Sequence, residues 1–298
     1  MKTSDIKGII PPVITPMNND PEQTVNHEAL REQVERLLAG GVHGMFPLGT
    51  NGEAYALSFQ EKEEILATVI DQVKGRVPVY AGTGCITTAE TIRLSKRAEE
   101  LGADALSVIT PSFALASQKE LYDHYTAVAK AVNLPIILYN IPGRCVVNME
   151  AETTLRLAHD CDNVVAVKEA SGKMDQVEAI VAGAPDGFVV YSGDDSATLD
   201  VMKRGGAGVI STIGNVSPAR MKEIVELAAA GDWEAAEAAN ERLMPLMTGL
   251  FETSNPILVK EALKLLGFPV GGVRLPLVDA TPEQSERLAA TMREVGVL

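Results

Sequence analysis

The stretch of residues 163–192, NVVAVKEASGKMDQVEAIVAGAPDGFVVYS, contains the unit from which the fold can be predicted. Two short apolar runs, 164–168 and 188–192, flank the amphipathic segment 174–181. Apolar runs without polar alternation are typical of strands that are buried on both faces. A helix between two such strands indicates that the strands pair in parallel. The stretch therefore predicts a strand–helix–strand unit of an α/β protein.

The same alternation of strand and helix occurs eight times along the chain. The predicted strands are 8–15, 44–48, 77–82, 105–110, 135–140, 164–168, 188–192 and 208–211. The predicted helices are 27–39, 58–74, 88–101, 118–132, 149–159, 174–181, 196–204 and 218–230. A closed (β/α)8 barrel takes about 250 residues. We therefore predict that residues 1–230 form the catalytic domain, a (β/α)8 TIM barrel. A doubly wound open sheet is the alternative, but no GxGxxG loop follows the first predicted strand.

The remaining residues, 231–298, have the pattern of a C-terminal helical extension. Three further helices are predicted at 233–250, 257–266 and 282–295. Gly267 and Pro269 follow the second of them and are typical of helix ends. The sequence thus predicts a barrel followed by three helices.

Composition and charge limit the possible partners. With 298 residues, of which 46% are hydrophobic, the chain can bury a sizeable core. A net charge of −14 argues against binding to nucleic acid or to an anionic membrane surface. The first residues, MKTSD, are too polar for a secretory signal, and no apolar stretch is long enough to span a membrane. We expect a cytoplasmic protein in which local positive groups meet any anionic small-molecule substrate.

Cysteine and histidine usage gives no indication of a metal site. The three cysteines, Cys85, Cys145 and Cys161, form no CxxC pair and are odd in number, so reduced thiols are expected. The four histidines stand singly, without the spacing of metal ligands. No metal and no other cofactor is therefore expected.

Lys168 ends the sixth predicted strand, and in a barrel the carboxyl ends of the strands form the active-site rim. An amine that is buried among β-branched side chains loses hydration, which favours its neutral, nucleophilic form. Such an amine can form a Schiff base with a carbonyl compound. A strand-end lysine that reaches solvent is the alternative for this residue taken alone.

Other polar side chains are predicted at the same rim. The turn GTNGE, residues 49–53, places Thr50 and Asn51 where a hydroxyl, an amide and backbone N–H groups could hold a carboxylate; a turn that leads into a helix is the alternative. Tyr139 and Asn140 end the fifth predicted strand, and Arg144 in the following loop could bind a second carboxylate or could be an ordinary surface arginine. Jointly these residues favour carbonyl chemistry in which Lys168 condenses with a 2-oxo acid.

The motifs resemble those of the dihydrodipicolinate synthase and N-acetylneuraminate lyase superfamily over nearly the whole chain. The matching segments are GIIPPVITP (8–16), GTNGE (49–53), AGTG (81–84), YNIPGR (139–144), VKEASG (167–172), SGDD (192–195) and NPILVK (255–260). This resemblance implies a TIM barrel with C-terminal helices, often a tetramer of two tight dimers, that binds pyruvate as a Schiff base.

The resemblance also implies roles for individual residues. Lys168 would form the Schiff base, Tyr139 would donate and accept protons, and Thr50 would act with Tyr139 in a hydroxyl relay. Asn51 and the backbone near it would hold the pyruvate carboxylate, and Ile210 would line the pocket. We expect a homotetramer or homodimer.

The second substrate distinguishes the branches of the superfamily. Arg144 is similar to the arginine with which the synthase branch binds the carboxylate of L-aspartate 4-semialdehyde, and this branch is the first choice. Asn51 and Phe113 depart from it, because synthases usually have threonine and tyrosine there, the latter crossing the dimer interface. A class I aldolase of a 4-hydroxy-2-oxo acid is the runner-up. A protein that binds 2-oxo acids without turnover is the alternative of another class.

In lysine-inhibited members of the family, a regulatory pocket contains tyrosine, asparagine and histidine where this chain has Ser112, Ile86 and Lys62. The changes remove an aromatic face and a polar partner and add a positive charge. They predict that lysine does not bind.

Overall fold

The computed structural model describes residues 7–298, which form two compact units. The central unit comprises residues 78–210 together with residues 7 and 8. The terminal unit comprises residues 9–77 and 211–298. Each unit is described separately.

Strands and helices alternate along the chain as the sequence predicts. The strands are β1 (Gly8–Ile9), β2 (Tyr80–Gly82), β3 (Ala105–Ile109), β4 (Ile136–Asn140), β5 (Val164–Glu169), β6 (Val189–Ser192) and β7 (Gly208–Val209). The helices are α1 (His27–Ala39), α2 (Phe59–Val73), α3 (Thr88–Leu101), α4 (Gln118–Ala131), α5 (Pro142–Cys145), α6 (Ala151–Asp160), α7 (Met174–Gly183), α8 (Thr198–Lys203), α9 (Pro218–Ala229), α10 (Trp233–Gly249), α11 (Ile257–Leu265) and α12 (Pro282–Glu294).

The sheet has the order β1-β7-β6-β5-β4-β3-β2, and the neighbours from β2 to β7 pair in parallel. From β2 to β7, consecutive strands are therefore neighbours, with at least one helix between each pair. Their side chains are buried almost throughout: every residue of β4 is buried, and in β5 only Val165 is partly exposed. Burial on both faces explains why these strands are continuous apolar runs in the sequence.

The second predicted strand, 44–48, is not a strand in the structure, where only Met45 makes an isolated bridge. The backbone is nevertheless hydrogen-bonded within the terminal unit: the N–H groups of His43 and Phe46 donate to the carbonyls of Ile9 and Pro11, both at 2.9 Å. Prolines at positions 11, 12 and 47 lack the N–H groups that a regular ladder requires. The segment is extended and paired without forming a continuous strand.

The C-terminal helices α10, α11 and α12 are those predicted from the sequence. Within the terminal unit α12 packs against both α10 and α11, and α10 packs against α9. In the described part of the chain no helix is long and apolar enough to cross a membrane.

Candidate active site

Lys168 and Tyr139 lie side by side at the carboxyl ends of two neighbouring strands. The register of β4 and β5 pairs Tyr139 directly with Lys168. Both residues are buried, with 4% and 3% of their surface exposed. The Nζ atom of Lys168 lies 3.8 Å from the centroid of the Tyr139 ring. The structure thus brings together an amine and a phenol, one a potential nucleophile and the other a potential proton donor and acceptor.

A buried polar network fixes the residues that follow this pair. Glu169, next to Lys168, accepts hydrogen bonds from Asn140 Nδ2 at 3.2 and 3.1 Å, from Gln176 Nε2 at 2.8 Å and from the Ser171 N–H at 2.7 Å. Asn140 in turn follows Tyr139, so both strand ends are held by one carboxylate. A buried network with satisfied members is rigid.

This network was not predicted from the sequence. It could have been suspected, because two largely apolar strands end in the polar residues Asn140 and Glu169. Their partner Gln176 lies in α7 and could not be inferred from spacing.

Gly193, just after β6, leaves space beside the lysine. A Cβ atom at this position would lie 2.5 Å from the Ala170 Cβ and 3.1 Å from the Lys168 Cε. Any side chain there would press on the lysine stem, so a glycine at this position leaves room for the Lys168 side chain.

Two other predicted site residues lie in the same unit. Ile210 directly follows β7, is 1% exposed and donates its N–H to the Ser192 carbonyl at 2.9 Å. Arg144 lies in α5, a one-turn helix that begins at Pro142 and was not predicted, and its side chain is exposed. Proline at the first helical position is typical of such a start.

Thr50 and Asn51 lie in the turn 49–53 of the terminal unit. The Asn51 side chain is buried, with 2% of its surface exposed, and its Oδ1 accepts a hydrogen bond from Asn255 Nδ2 at 2.5 Å. Asn51 Nδ2 is also buried, and it has no hydrogen-bond partner among the described residues. An unpaired buried donor costs about 1–3 kcal/mol. This donor is therefore suited to an acceptor on a ligand, and a carboxylate fits it.

The same turn ends in a buried ion pair. Glu53 and Lys260 are 0% and 1% exposed at their side chains, and Glu53 Oε1 lies 2.5 Å from Lys260 Nζ. Burial lowers the pKa of Lys260, and the adjacent Glu53 carboxylate opposes that shift. The backbone N–H of Arg274 donates to Glu53 Oε2 at 2.8 Å. Glu53 lies in the motif GTNGE and Lys260 in the motif NPILVK, but their pairing was not predicted.

Comparison with known proteins shows which family the chain resembles over its length. Residues 5–295 match the model of the dihydrodipicolinate synthetase family. A 4-hydroxy-tetrahydrodipicolinate synthase from Symbiobacterium thermophilum is 46% identical over 96% of this chain and 97% of its own length.

Two solved structures extend the comparison to the fold. A chloride-inhibited dihydrodipicolinate synthase from Acinetobacter baumannii, complexed with pyruvate, has a TM-score of 0.95 and 37% identity, covering 98% of this chain and 100% of that one. A dihydrodipicolinate synthase from Cyanidioschyzon merolae with lysine bound has a TM-score of 0.96 and 35% identity, covering 99% of both chains.

These likenesses confirm the predicted fold class, a TIM barrel with a C-terminal helical region. The family match covers residues 5–295, and the relative from Symbiobacterium thermophilum is 46% identical over nearly the whole of both chains. The chain belongs to the dihydrodipicolinate synthetase family.

Proposed function

We propose that this protein is a pyruvate-dependent Schiff-base lyase, a 4-hydroxy-tetrahydrodipicolinate synthase that condenses pyruvate with L-aspartate 4-semialdehyde. The observation that carries the proposal is the buried Lys168 amine against the Tyr139 ring. Relatives that carry this name cover the same length of sequence.

The first step is the formation of an imine at Lys168. The neutral Nζ attacks the C2 carbonyl carbon of pyruvate, the N–C bond forms, and the carbonyl oxygen leaves as water after it has accepted protons. Tyr139 lies within reach of the amine and is the group in this unit that we assign to proton transfer. Because both residues are buried, the reacting atoms are shielded from bulk water.

The second step makes the carbon–carbon bond. Loss of a proton from C3 of the imine gives an enamine, whose C3 attacks the aldehyde carbon of the acceptor, and the aldehyde oxygen takes up a proton. The space that Gly193 leaves beside Lys168 suits an adduct that grows in this way.

The remaining predicted residues receive binding roles. Asn51, with its unpaired buried Nδ2, and the backbone near it bind the pyruvate carboxylate. Thr50 is assigned, together with Tyr139, to proton transfer through their hydroxyl groups. Ile210 lines the pocket with an apolar side chain. Arg144 is exposed and charged, which suits binding of the acceptor carboxylate.

Turnover with a panel of aldehydes tests the proposal. The purified protein is given pyruvate with L-aspartate 4-semialdehyde, with glyoxylate or with sugar-derived aldehydes, and pyruvate consumption is followed. Consumption with the semialdehyde alone is expected. Consumption with glyoxylate, which forms 4-hydroxy-2-oxoglutarate, would show that the protein is an aldolase and not a synthase. Asn51 and Phe113 favour this second candidate function. A pyruvate imine without turnover would make the protein a 2-oxo-acid binder.

We also propose that the protein is a homodimer or homotetramer. Phe113 and Leu115 are 90% and 64% exposed in the loop after β3, and both have left-handed backbones, with φ of 72° and 49°. Exposed apolar groups mark interaction surfaces, and costly backbone conformations persist where they serve a function. Sedimentation equilibrium tests this: a monomer at micromolar concentration would contradict it.

Two further sequence predictions remain proposals. The division into a barrel domain at 1–230 and a three-helix extension at 231–298 predicts preferential proteolytic cleavage near residue 230. The cytoplasmic location is supported by the three cysteines, which form no disulfide among the described residues, since reduced thiols are typical of that compartment.

A further inference from the structure

The carboxylate-binding turn, residues 49–53, is held by side chains from more than 200 positions further along the chain. Asn255, just before α11, donates to Asn51, and Lys260 on α11 pairs with Glu53. All four side chains belong to the terminal unit and are buried.

The contact with Asn255 selects one of the two orientations of the Asn51 amide. A side-chain amide can rotate by half a turn and exchange its oxygen for its nitrogen, and the hydrogen-bonding partners decide between the two. Because Asn255 Nδ2 donates to Asn51 Oδ1, the other end of the amide is the donor Nδ2, which is buried and has no partner among residues 7–298. A donor with this orientation fits an anion.

The ion pair fixes the end of the same turn. Glu53 has a left-handed backbone, with φ of 52°, and its carboxylate is held by Lys260 Nζ and by the Arg274 N–H. Lys260 also donates to the Gly272 carbonyl at 2.7 Å. With the carboxylate of its last residue held by two groups, one of which is itself bound to Gly272, the turn has little freedom to move away from a ligand.

We propose that Asn255 and Lys260 are positioning residues for the reaction, which hold the turn so that Asn51 Nδ2 meets the carboxylate of pyruvate. This inference rests on the proposed function and extends it to the C-terminal helices. Neither residue touches the reacting atoms. Substitution of Asn255 or Lys260 is therefore expected to change the binding of pyruvate and not that of the aldehyde. A residue that only contributes to stability would not change KM for one substrate alone.

The test compares Asn255→Ala and Asn255→Asp in the full-length protein. Asn255→Ala releases the Asn51 amide, and KM for pyruvate is expected to rise about tenfold, the effect of one hydrogen bond. Asn255→Asp replaces the donor with an acceptor, which draws Asn51 Nδ2 towards itself and leaves Oδ1 for the substrate. KM for pyruvate is therefore expected to rise further. In both variants KM for the aldehyde stays unchanged and kcat changes by less than about threefold.

Asn240→Ala is the matched control. Asn240 is also a buried asparagine of the terminal unit, in α10, but it does not contact the turn in any bond of the structure. It is expected to change stability without changing KM for pyruvate.

Lys260 is tested by a paired substitution, because Lys260→Met alone leaves the buried Glu53 carboxylate without its cation. Lys260→Met combined with Glu53→Gln removes both charges and avoids that loss of stability. The pair is expected to raise KM for pyruvate selectively, as Asn255→Ala does.

The outcomes separate this inference from the proposed function. If the wild type forms a borohydride-trapped pyruvate imine while Asn255→Ala and Asn255→Asp retain its KM for pyruvate, the positioning role is overturned and the proposed function stands. Equal increases in KM for both substrates would also overturn it. A wild type that forms no pyruvate imine would overturn both.

Discussion

At the scale of single residues, the chemistry depends on the register between β4 and β5. Tyr139 and Lys168 are opposite each other, so both side chains lie on the same face at the ends of their strands. A shift by one residue would place Leu138 or Asn140 opposite Lys168 and would turn the phenol to the other face. The network around Glu169 holds this register at the strand ends.

Arg144 provides the test of acceptor binding. If its guanidinium binds the carboxylate of the semialdehyde, Arg144→Ala raises KM for the aldehyde by roughly one to two orders of magnitude, because a charge-assisted hydrogen bond contributes about 1.5–3 kcal/mol. KM for pyruvate is expected to stay within about twofold. Steady-state kinetics with each substrate varied in turn measure both constants.

Arg287→Ala is the control, since Arg287 forms an exposed ion pair with Glu252 and such pairs contribute little. Equal effects of Arg144→Ala on both substrates would indicate general damage. No effect on either substrate would place Arg144 outside the site and favour the aldolase.

Gly193 tests the space around the lysine. A methyl group at this position would lie 2.5 Å from the Ala170 Cβ and would push against Lys168. Gly193→Ala is therefore expected to reduce the rate of imine formation by roughly tenfold to a hundredfold, the cost of misplacing a reacting group. Stopped-flow absorbance of the imine measures this rate. Gly249→Ala, whose added methyl would meet only Thr291 at 3.8 Å, is the control and is expected to be neutral. An unchanged rate in Gly193→Ala would show that the glycine has no role beside Lys168.

At the scale of elements, the helices could be predicted closely and one strand could not. The predicted limits of α1 and α3 are those of the structure, because Asn26 and Thr87 cap their first turns and glycines follow both helices. The segment 44–48 has the apolar pattern of a strand, but Pro47 in this segment and Pro11 and Pro12 in the segment that pairs with it lack the N–H groups of a regular ladder. The apolar pattern of a sequence does not show that these donors are missing.

His124 makes the packing of α4 on α3 sensitive to acid. Its Nδ1 lies 2.9 Å from Thr88 Oγ1, and burial lowers its pKa to about 4. The unfolded pKa is about 6.5, so the native state binds the proton less readily than the unfolded state. The stability from this residue is complete above about pH 6.5 and is lost as the pH falls towards 4, by up to about 3 kcal/mol.

Urea unfolding at pH 7.5 and pH 5 measures this loss. The wild type is expected to lose more stability between the two values than His124→Gln, while His159→Gln, at an exposed position, should follow the wild type. The carboxylates with the largest shifts do not interfere: hydrogen bonds from arginines lower the pKa of Glu35 and Glu61 to about 2, so they stay ionised at pH 5. Equal losses in the wild type and His124→Gln would contradict the assignment.

At the scale of the whole molecule, the sequence predicted the fold class and the family, and these predictions are confirmed. The contacts that organise the turn could not be predicted, because Asn51 and Asn255 are 204 positions apart and no local spacing in the sequence indicates that they meet. Lys168 could be predicted, because active-site residues of a barrel lie at the carboxyl ends of its strands. The pair of Glu53 with Lys260 could not, because residues so far apart in sequence meet only through tertiary packing.

Regulation is also a property of the whole molecule. The resemblance places Ser112, Ile86 and Lys62 where lysine-inhibited members of the family have other residues, and we expect lysine at millimolar concentration neither to inhibit this protein nor to raise its Tm. A ligand that binds only the native state must stabilise it by mass action. Differential scanning fluorimetry with increasing lysine measures this, with pyruvate as the positive control. A lysine-dependent shift that saturates would contradict the prediction.

The central claim is that pyruvate binds covalently to Lys168, and borohydride trapping followed by peptide mass spectrometry tests it most directly. Reduction of the imine fixes pyruvate on the amine that formed it. The account predicts a single pyruvate adduct on the peptide that contains Lys168, and no adduct in a folded Lys168→Ala variant, whose kcat falls on the order of 10³-fold or more. Lys168→Arg should also be inactive, because a guanidinium stays protonated. An adduct on another lysine, or an adduct that persists in Lys168→Ala, would contradict the claim.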